Sequence, residues 1–295
     1  MKTFSYFMGW LMVNKPHLFK NDKRFLINKW KFLNHSTLNI DNPQTFNEKL
    51  NWLKLFNRDP RLTMMADKYE VKKYVASLIG EEYVVPCYGV WNTFDEIDFD
   101  SLPNQFVIKA THDSSGAFVV RDKSQFDIEF ARTKYENVMK RNWFWGYREW
   151  VYKEIKPRII VDKFLDDHSG HELRDYKFWC FNGTPKIMYC TNKAKDVFEN
   201  FYDMDFNPLN IDHGFRRSVP EFEKPGEFEL MKSLAHKLSQ GLPFVRVDFF
   251  DVDGKVYFGE FTFYDWAGFR PFRTPDMDKK LGDEIILPVK SNNSI

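Results

Sequence analysis

Cysteine is scarce in this 295-residue chain, and the three present form no pattern. Cys87, Cys180 and Cys190 fall in no C-x-x-C spacing and beside no histidine cluster. That argues against a structural zinc site or a disulfide framework and fits a reducing cytoplasm. Net charge is nearly absent as well. The 43 basic and 42 acidic side chains leave +1, so no global field recruits nucleic acid or an anionic membrane, and any phosphate site must be local. No apolar run is long enough for a transmembrane segment. The stretch from Phe4 to Val13 is nearly apolar but too short, and Asn14-Lys15-Pro16 follows it where a signal peptide would carry small cleavage-site residues. It reads as a docking helix; the alternative is that it rests on a membrane surface beside a lipid-linked substrate. Internal repeats and low-complexity tracts are also missing. Aromatic residues, by contrast, are plentiful at 18%, which promises large buried side chains and stacking surfaces for a planar ligand. The length suits two closely packed lobes.

The first sixty residues read as short helices joined by polar turns, with Asn42-Pro43 marking a turn before the helical stretch Phe46 to Phe56. Between Asp67 and Gly80, apolar residues at Val71, Tyr74, Val75, Leu78 and Ile79 follow the spacing of a helix with one buried face. Asp67 and Glu70 are its expected capping pair. Lys68 then takes the first helical position, where the helix dipole opposes a cation and a bound anion would reverse that penalty. A solvated surface lysine is the plainer reading. In Q-F-V-I-K-A-T at 105–111, Lys109 projects from a mostly apolar strand. His112, Asp113, Ser114, Ser115 and Gly116 follow, then a second apolar strand, Ala117 to Val120. A strand, a small loop offering backbone N–H groups and a lysine beside it make a phosphate cradle, although such turns also close ordinary hairpins.

Strands are expected at Arg158 to Leu165 and on both sides of Asn182-Gly183, at Leu173 to Phe181 and Pro185 to Thr191. Asp175 and Lys177 share one strand face and Arg174 and Tyr176 the other; an edge strand or a surface ion pair would explain that as well as a site. The stretch Val245 to Tyr264 reads as two strands around an Asp253-Gly254 turn. Arg246 and Asp248 share a face, as do Glu260 and Thr262, and a three-residue loop would set Asp248 opposite Glu260. Carboxylates meeting on one sheet face repel unless a cation lies between them. Magnesium takes oxygen ligands, commonly one or two carboxylates plus substrate phosphates. A solvated face with Arg246 as counter-charge is the alternative, but the neighbours Val247, Phe249 and Phe261 look buried, where a bare carboxylate is expensive.

These phrases resemble the ATP-grasp superfamily, and within it the TupA-like group associated with teichuronopeptide and other surface-polysaccharide synthesis. The matching phrases are N-P-Q-T-F-N-E-K-L at 42–50, A-D-K-Y-E-V at 66–71, F-V-I-K-A-T-H-D-S-S-G at 106–116, D-Y-K-F-W-C-F-N-G at 175–183 and G-E-F-T-F-Y at 259–264. The resemblance implies an α+β ATP-grasp fold, with two lobes of antiparallel sheet clasping ATP. It divides the chain into a helical segment at 1–65, a first lobe at 66–170, a second at 171–290 and a tail at 291–295. It implies nucleotide contacts from Lys68, Lys109, Ser114, Ser115, Gly116, Asp162, Lys163, Leu165, Asp175 and Lys177. Mg²⁺ would be held by Asp248, Glu260 and Thr262, the last standing where most ATP-grasp enzymes carry Asn. Arg246 and Lys177 would serve catalysis by stabilising the transferring phosphate.

The implied reaction is ATP-dependent ligation of a carboxylate to an amine through an acyl phosphate. The implied partners are an amino acid and a uronic-acid-containing sugar or glycan, possibly lipid-linked, met in the cytoplasm or at the inner face of its membrane. No histidine base stands out. Two other activities stay open. D-x-D triplets at Asp203/Asp205, Asp251/Asp253 and Asp276/Asp278 could serve a glycosyltransferase, and an ATP-grasp kinase could phosphorylate a sugar hydroxyl and stop. The run W-F-W-G-Y-R-E-W-V-Y at 143–152 is either core or a platform for a sugar acceptor.

Overall fold

The computed structural model describes residues 2–114, 116–168, 173–191, 198–219 and 221–290. Five helices open the chain: α1 Lys2–Asn14, α2 Asp22–Asn34, α3 Phe46–Phe56, α4 Arg61–Ala66 and α5 Glu70–Ile79. The first lobe follows with β1 Cys87–Trp91, β2 Phe106–Ala110, β3 Phe118–Val120, α6 Ile128–Met139, α7 Phe144–Tyr147 and β4 Ile159–Lys163. The second holds β5 Asp175–Phe181, β6 Thr184–Thr191, β7 Glu199–Tyr202, β8 Pro208–Leu209, α8 Phe228–Leu238, β9 Phe244–Val252, β10 Lys255–Thr262 and α9 Met277–Glu284. The strands form two sheets, ordered β1-β4-β2-β3 and β10-β9-β5-β6-β7-β8, with every strand pair antiparallel. This is the α+β, two-sheet architecture expected from the sequence.

Two hydrophobic cores match the two sheets. The smaller lies between the four-stranded sheet and α6, around Phe106, Ile108, Tyr135 and Val161. The larger is built on the six-stranded sheet and takes in the N-terminal helices. Phe46 of α3 shows why: its ring meets Trp179 at 5.4 Å and Phe244 at 4.9 Å. Burying an aromatic of this size on a sheet contributes roughly 2–3 kcal/mol, so α3 is fixed to the second lobe by packing. Thr45 and Glu48 close a capping box at its start, the reciprocal bond pair that ends a helix cleanly.

The aromatic run at 143–152 is mostly structural. Phe144 is buried, Trp143 donates to Glu149 at 3.0 Å, and the buried guanidinium of Arg148 sits 3.8 Å from the centre of the Phe25 ring while pairing with Asp22. The D-x-D triplets also serve turns. Asp203 accepts from the backbone of Asp205 and Asn207, Asp251 from Gly254, and Asp278 from Asn47 at the start of α3.

Candidate functional site

The β9–β10 hairpin brings its two carboxylates together by a route the sequence reading did not foresee. The turn at Asp253-Gly254 holds two residues, pairing Val252 with Lys255. That register alone would set Asp248 opposite Gly259. A bulge between Phe258 and Glu260 adds one residue and shifts the pairing to Asp248–Glu260 and Arg246–Thr262. Bulges re-aim side chains in this way, and glycine permits this one. A Cβ at Gly259 would lie 3.1 Å from the Asp248 carbonyl oxygen and 3.3 Å from the Phe250 ring.

Arg246 organises the acids around it. Its guanidinium donates to Asp248 through Nε and Nη2, each at 2.7 Å, to Glu260 Oε1 at 3.0 Å and to Asp265 Oδ1 at 2.6 Å. Lys177, facing Asp248 across the β5–β9 register, donates to Asp248 Oδ2 at 2.7 Å and lies 3.3 Å from Asp175. Burial would raise the Asp248 carboxyl, but Arg246 and then Lys177 outweigh it and hold it below the usual carboxylate range. Burial works against the Lys177 ammonium too, and Asp175 and Asp248 overcome it, so Lys177 stays above its ordinary value.

These residues fit Mg²⁺. The bonds described use one lone pair of Asp248 Oδ1 and none of Glu260 Oε2, leaving a carboxylate oxygen on each of two facing strands. Thr262 donates to Glu260 Oε1 at 3.4 Å, so it orients that acid. No group of three or more acidic, His or Cys ligands occurs among the described residues. A pair suits an ion that keeps waters and takes the rest of its shell from phosphates.

The four-stranded sheet and helix α5 supply the opposing wall. Lys109 on β2 and Lys72 on α5 each stand 2.9 Å from the buried Asp162 of β4, one on each carboxylate oxygen. Burial would raise Asp162, but Lys109 and Lys72 together hold it low; Asp162 in turn keeps Lys109 above its usual value. Lys72 was not singled out from sequence, where a helical lysine reads as solvated. The backbone of Asp162 lies mid-ladder, between Cys87 and Val107, so its side chain is what faces the cleft. Lys163 and Leu165 line an adjoining pocket of about 200 Å³ with Val85, Val107 and Phe250. Strand β4 stops at Lys163, leaving Leu165 in the following segment.

Lys68 lies in the turn before α5 and not at its first helical position. The helix begins at Glu70 because the Asp67 carboxylate accepts from the backbone of Tyr69 and Glu70, while Lys68 N–H donates to Thr111. Glu70 does not reach back to complete a capping pair. Its carboxylate joins Asp67 on Arg158, at 2.9 Å each. Lys68 Nζ donates to the Asp113 carbonyl at 2.8 Å, tying the turn to the loop that carries Ser114 and Gly116. Burial pushes the Lys68 ammonium down, so a phosphate placed there would be strongly favoured. Gly116 adopts φ +89° with open space at its Cα. Ser115 lies outside the described residues.

Both walls meet in one cavity of about 250 Å³, lined among others by Lys68, Lys72, Lys109, Lys177, Asp248 and Glu260. The pocket of about 200 Å³ beside Lys163 shares Val85, Lys109, Ala117 and Phe250 with it. Tyr152, from the end of the aromatic run, lines a water-sized space beside Lys68 and Glu260. Asp265 is missed from sequence and Tyr152 enters only as the last residue of the aromatic run; each reaches the site from a 3₁₀ turn.

In solved structures, the chain is similar to the D-alanine–D-alanine ligase of Helicobacter pylori, at 16% identity and a TM-score of 0.46, covering 82% of this chain and 69% of that one. It is also similar to the Bacillus anthracis enzyme complexed with ATP, at 19% identity, a TM-score of 0.40, and 68% and 56% coverage. A third is the ATP-grasp ligase PsnB with minimal precursor, Mg and ADP, at 12% identity, a TM-score of 0.42, and 80% and 63% coverage. The chain spans less than two thirds of the length of the last two, and likenesses of this size carry nothing about activity. No curated protein matches it. The model of the TupA-like ATP-grasp family matches residues 48–286, which take in both walls of the cleft from Lys68 to Thr262, and the chain belongs to that family.

Proposed function

We propose that this protein is an ATP- and Mg²⁺-dependent carboxylate–amine ligase that forms an amide through an acyl phosphate. The observation that carries the reading is the pairing of Asp248 with Glu260 beneath Arg246 and Lys177, facing Lys68 and Lys109 across one cavity. Lys163 and Leu165 flank the adenine, with Phe250 offering a ring face. Lys68, Lys109, Ser114, Ser115 and Gly116 receive the phosphates, with Lys72 and Asp162 setting the position of Lys109. Asp248 and Glu260 are the metal carboxylates, and Thr262 orients Glu260. Mg²⁺ when bound supplies charge neutralisation across the phosphates.

Arg246 and Lys177 stabilise the charge that moves as the terminal phosphoryl passes to a carboxylate oxygen. Asp175 keeps Lys177 protonated for that task. An amine then attacks the acyl carbon, forming the C–N bond and expelling inorganic phosphate. Closure of the two walls excludes water that would hydrolyse the acyl phosphate. For substrates we infer an amino acid and a uronic-acid-containing sugar or glycan, in the assembly of a cell-surface polysaccharide such as a capsule. Family membership is what supports that inference, with Tyr152, at the end of the aromatic run, lying beside Lys68 and Glu260.

Supplying the carboxylate labelled with ¹⁸O tests the chemistry. One label should appear in released phosphate, since that oxygen leaves with the phosphoryl group. Glycosyl transfer would put no label there, and a kinase would release ADP without free phosphate. Unlabelled phosphate from a productive substrate pair overturns the ligase reading.

A further inference from the structure

We propose that helix α1 docks this protein on an anionic lipid surface. The helix is apolar on two opposite faces. Its inner face packs on α2: Met12 is buried, and Gly9 lies so close under the Phe32 ring that a side chain there would displace the ring. Its outer face carries Phe7, Trp10 and Val13, which at i, i+3 and i+6 fall within one stripe and are 56%, 54% and 57% exposed. Leu18, in the turn that follows, adds to this apolar surface at 59%. A helix apolar all round is ordinarily covered on every side, and here, among the described residues, the side facing α2 is the covered one.

Charge identifies the cover. Residues 1–35 hold seven Lys and Arg against one Asp, an excess of six in a chain whose total is +1. The near-neutral total therefore conceals a local basic segment. Its single acid, Asp22, is taken by the buried Arg148, so it screens none of the exposed cations. Lys15, Lys20, Arg24 and Lys31 are exposed around α1 and α2. An apolar stripe with tryptophan and phenylalanine, bordered by lysines, matches the boundary between acyl chains and anionic headgroups. Among the described residues no helix is long and apolar enough to cross a membrane. At 13 residues α1 has the length to lie in the plane of the surface instead.

Co-sedimentation of the full chain with vesicles tests this without reference to the ligase reaction. The protein should pellet with vesicles of phosphatidylglycerol and phosphatidylcholine and stay soluble with phosphatidylcholine alone. The pair Phe7→Ser with Trp10→Ser should lower partitioning about tenfold or more. Lys15→Glu with Lys20→Glu should lower it severalfold, and salt at about 0.5 M should release the wild type. All of these side chains are exposed, so both variants should keep wild-type thermal stability and ATP turnover in vesicle-free buffer. The proposal is overturned if the wild type stays in the supernatant with anionic vesicles, or if both variants pellet as well as the wild type. It is equally overturned if the Phe7/Trp10 variant turns a dimer into a monomer in sedimentation velocity, since a second copy would then be the cover.

Discussion

Replacing Asp248 by Asn separates the structural from the chemical work of the site. Asp248 accepts three charge-assisted bonds at 2.7 Å, two from Arg246 and one from Lys177. Removing one side of a buried ion pair costs ~3–5 kcal/mol when the other charge is left alone. Here neither cation is left alone, because Arg246 keeps Asp265 and Glu260 and Lys177 keeps Asp175. The expected loss is therefore nearer to one or two bonds to a charged group, about 2–3 kcal/mol. For a domain pair of this size that is a fall in Tm of roughly 3–5 °C. The pH dependence adds a second signature. The folded Asp248 carboxyl is depressed, so its stabilisation is full above the unfolded value near 3.9 and fades as pH falls through the folded value. The gap between wild type and variant should thus narrow below about pH 4. At neutral pH, MgATP at a hundred times its Kd should stabilise the wild type by about 2.7 kcal/mol and the variant by much less. Turnover should vanish. Unfolding followed by circular dichroism, with and without MgATP, reads all three effects. A variant with wild-type Tm, or one that turns over ATP at the wild-type rate, would refute the role given to Asp248.

Lys109→Met should weaken ATP binding about tenfold or more in calorimetric titration, since it removes one charge-assisted phosphate contact. Lys72→Met should cost less, because Lys72 acts on the phosphates through Asp162; equal losses would place Lys72 on the nucleotide itself. Gly259→Val crowds the Asp248 carbonyl and should raise the Mg²⁺ concentration for half-maximal turnover severalfold while the fold persists, and an unchanged Mg²⁺ requirement would refute the role of the bulge. Glu199, raised to about 8 chiefly by burial, binds a proton on folding. Its favourable contribution is complete below its unfolded value and is lost as pH rises toward 8. Glu199→Gln should therefore be more stable than wild type at pH 8, by on the order of 2–5 kcal/mol, with the advantage gone by pH 4; parallel stability curves would contradict it.

What was legible in the sequence was what depends on local pattern. Strand alternation put Arg246 with Asp248 and Glu260 with Thr262, and Asn182-Gly183 marked its hairpin. The register of β9 on β10 stays open in the sequence, because a two-residue turn with a later bulge and a three-residue loop give the same Asp248–Glu260 pairing. Nothing in Phe258-Gly259-Glu260 alone separates the two. Lys72, Arg158 and Asp265 were illegible for a different reason. Each gains its role from an acid or base distant in the chain: Lys72 from Asp162, Arg158 from Asp67, and Asp265 from Arg246. Lys68 lies two residues before the helix starts, since the Asp67 carboxylate accepts from the backbone of Tyr69 and Glu70 and α5 begins at Glu70. The fusion of α3 with the second lobe is likewise a packing outcome that periodicity does not encode.

The charge arrangement of the cleft bears on how an almost neutral protein holds a polyanion. Lys72, Lys109, Lys177 and Arg246 are ion-paired with Asp162, Asp175, Asp248, Glu260 and Asp265, whereas Lys68 rests on the Asp113 backbone carbonyl. Four of the five cations are thus pre-paired, and the net field of the site is small. On the proposed function a nucleotide would not be drawn in by long-range attraction; it would bind by exchanging partners with acids already in place, and with Asp248 and Glu260 holding the divalent ion, Arg246 and Lys177 would be free for the phosphates. Such exchange acts over a few ångströms, well inside the screening length of about 10 Å at 0.1 M salt. ATP affinity should therefore change little between low and physiological salt, whereas the basic N-terminal segment, whose cations lack buried acids, should hold anionic vesicles progressively more weakly over the same range, with release at about 0.5 M. Two salt titrations on one protein distinguish these regimes, and a steep salt dependence of ATP affinity would mean that the acids of the cleft do not pair its cations as their distances imply.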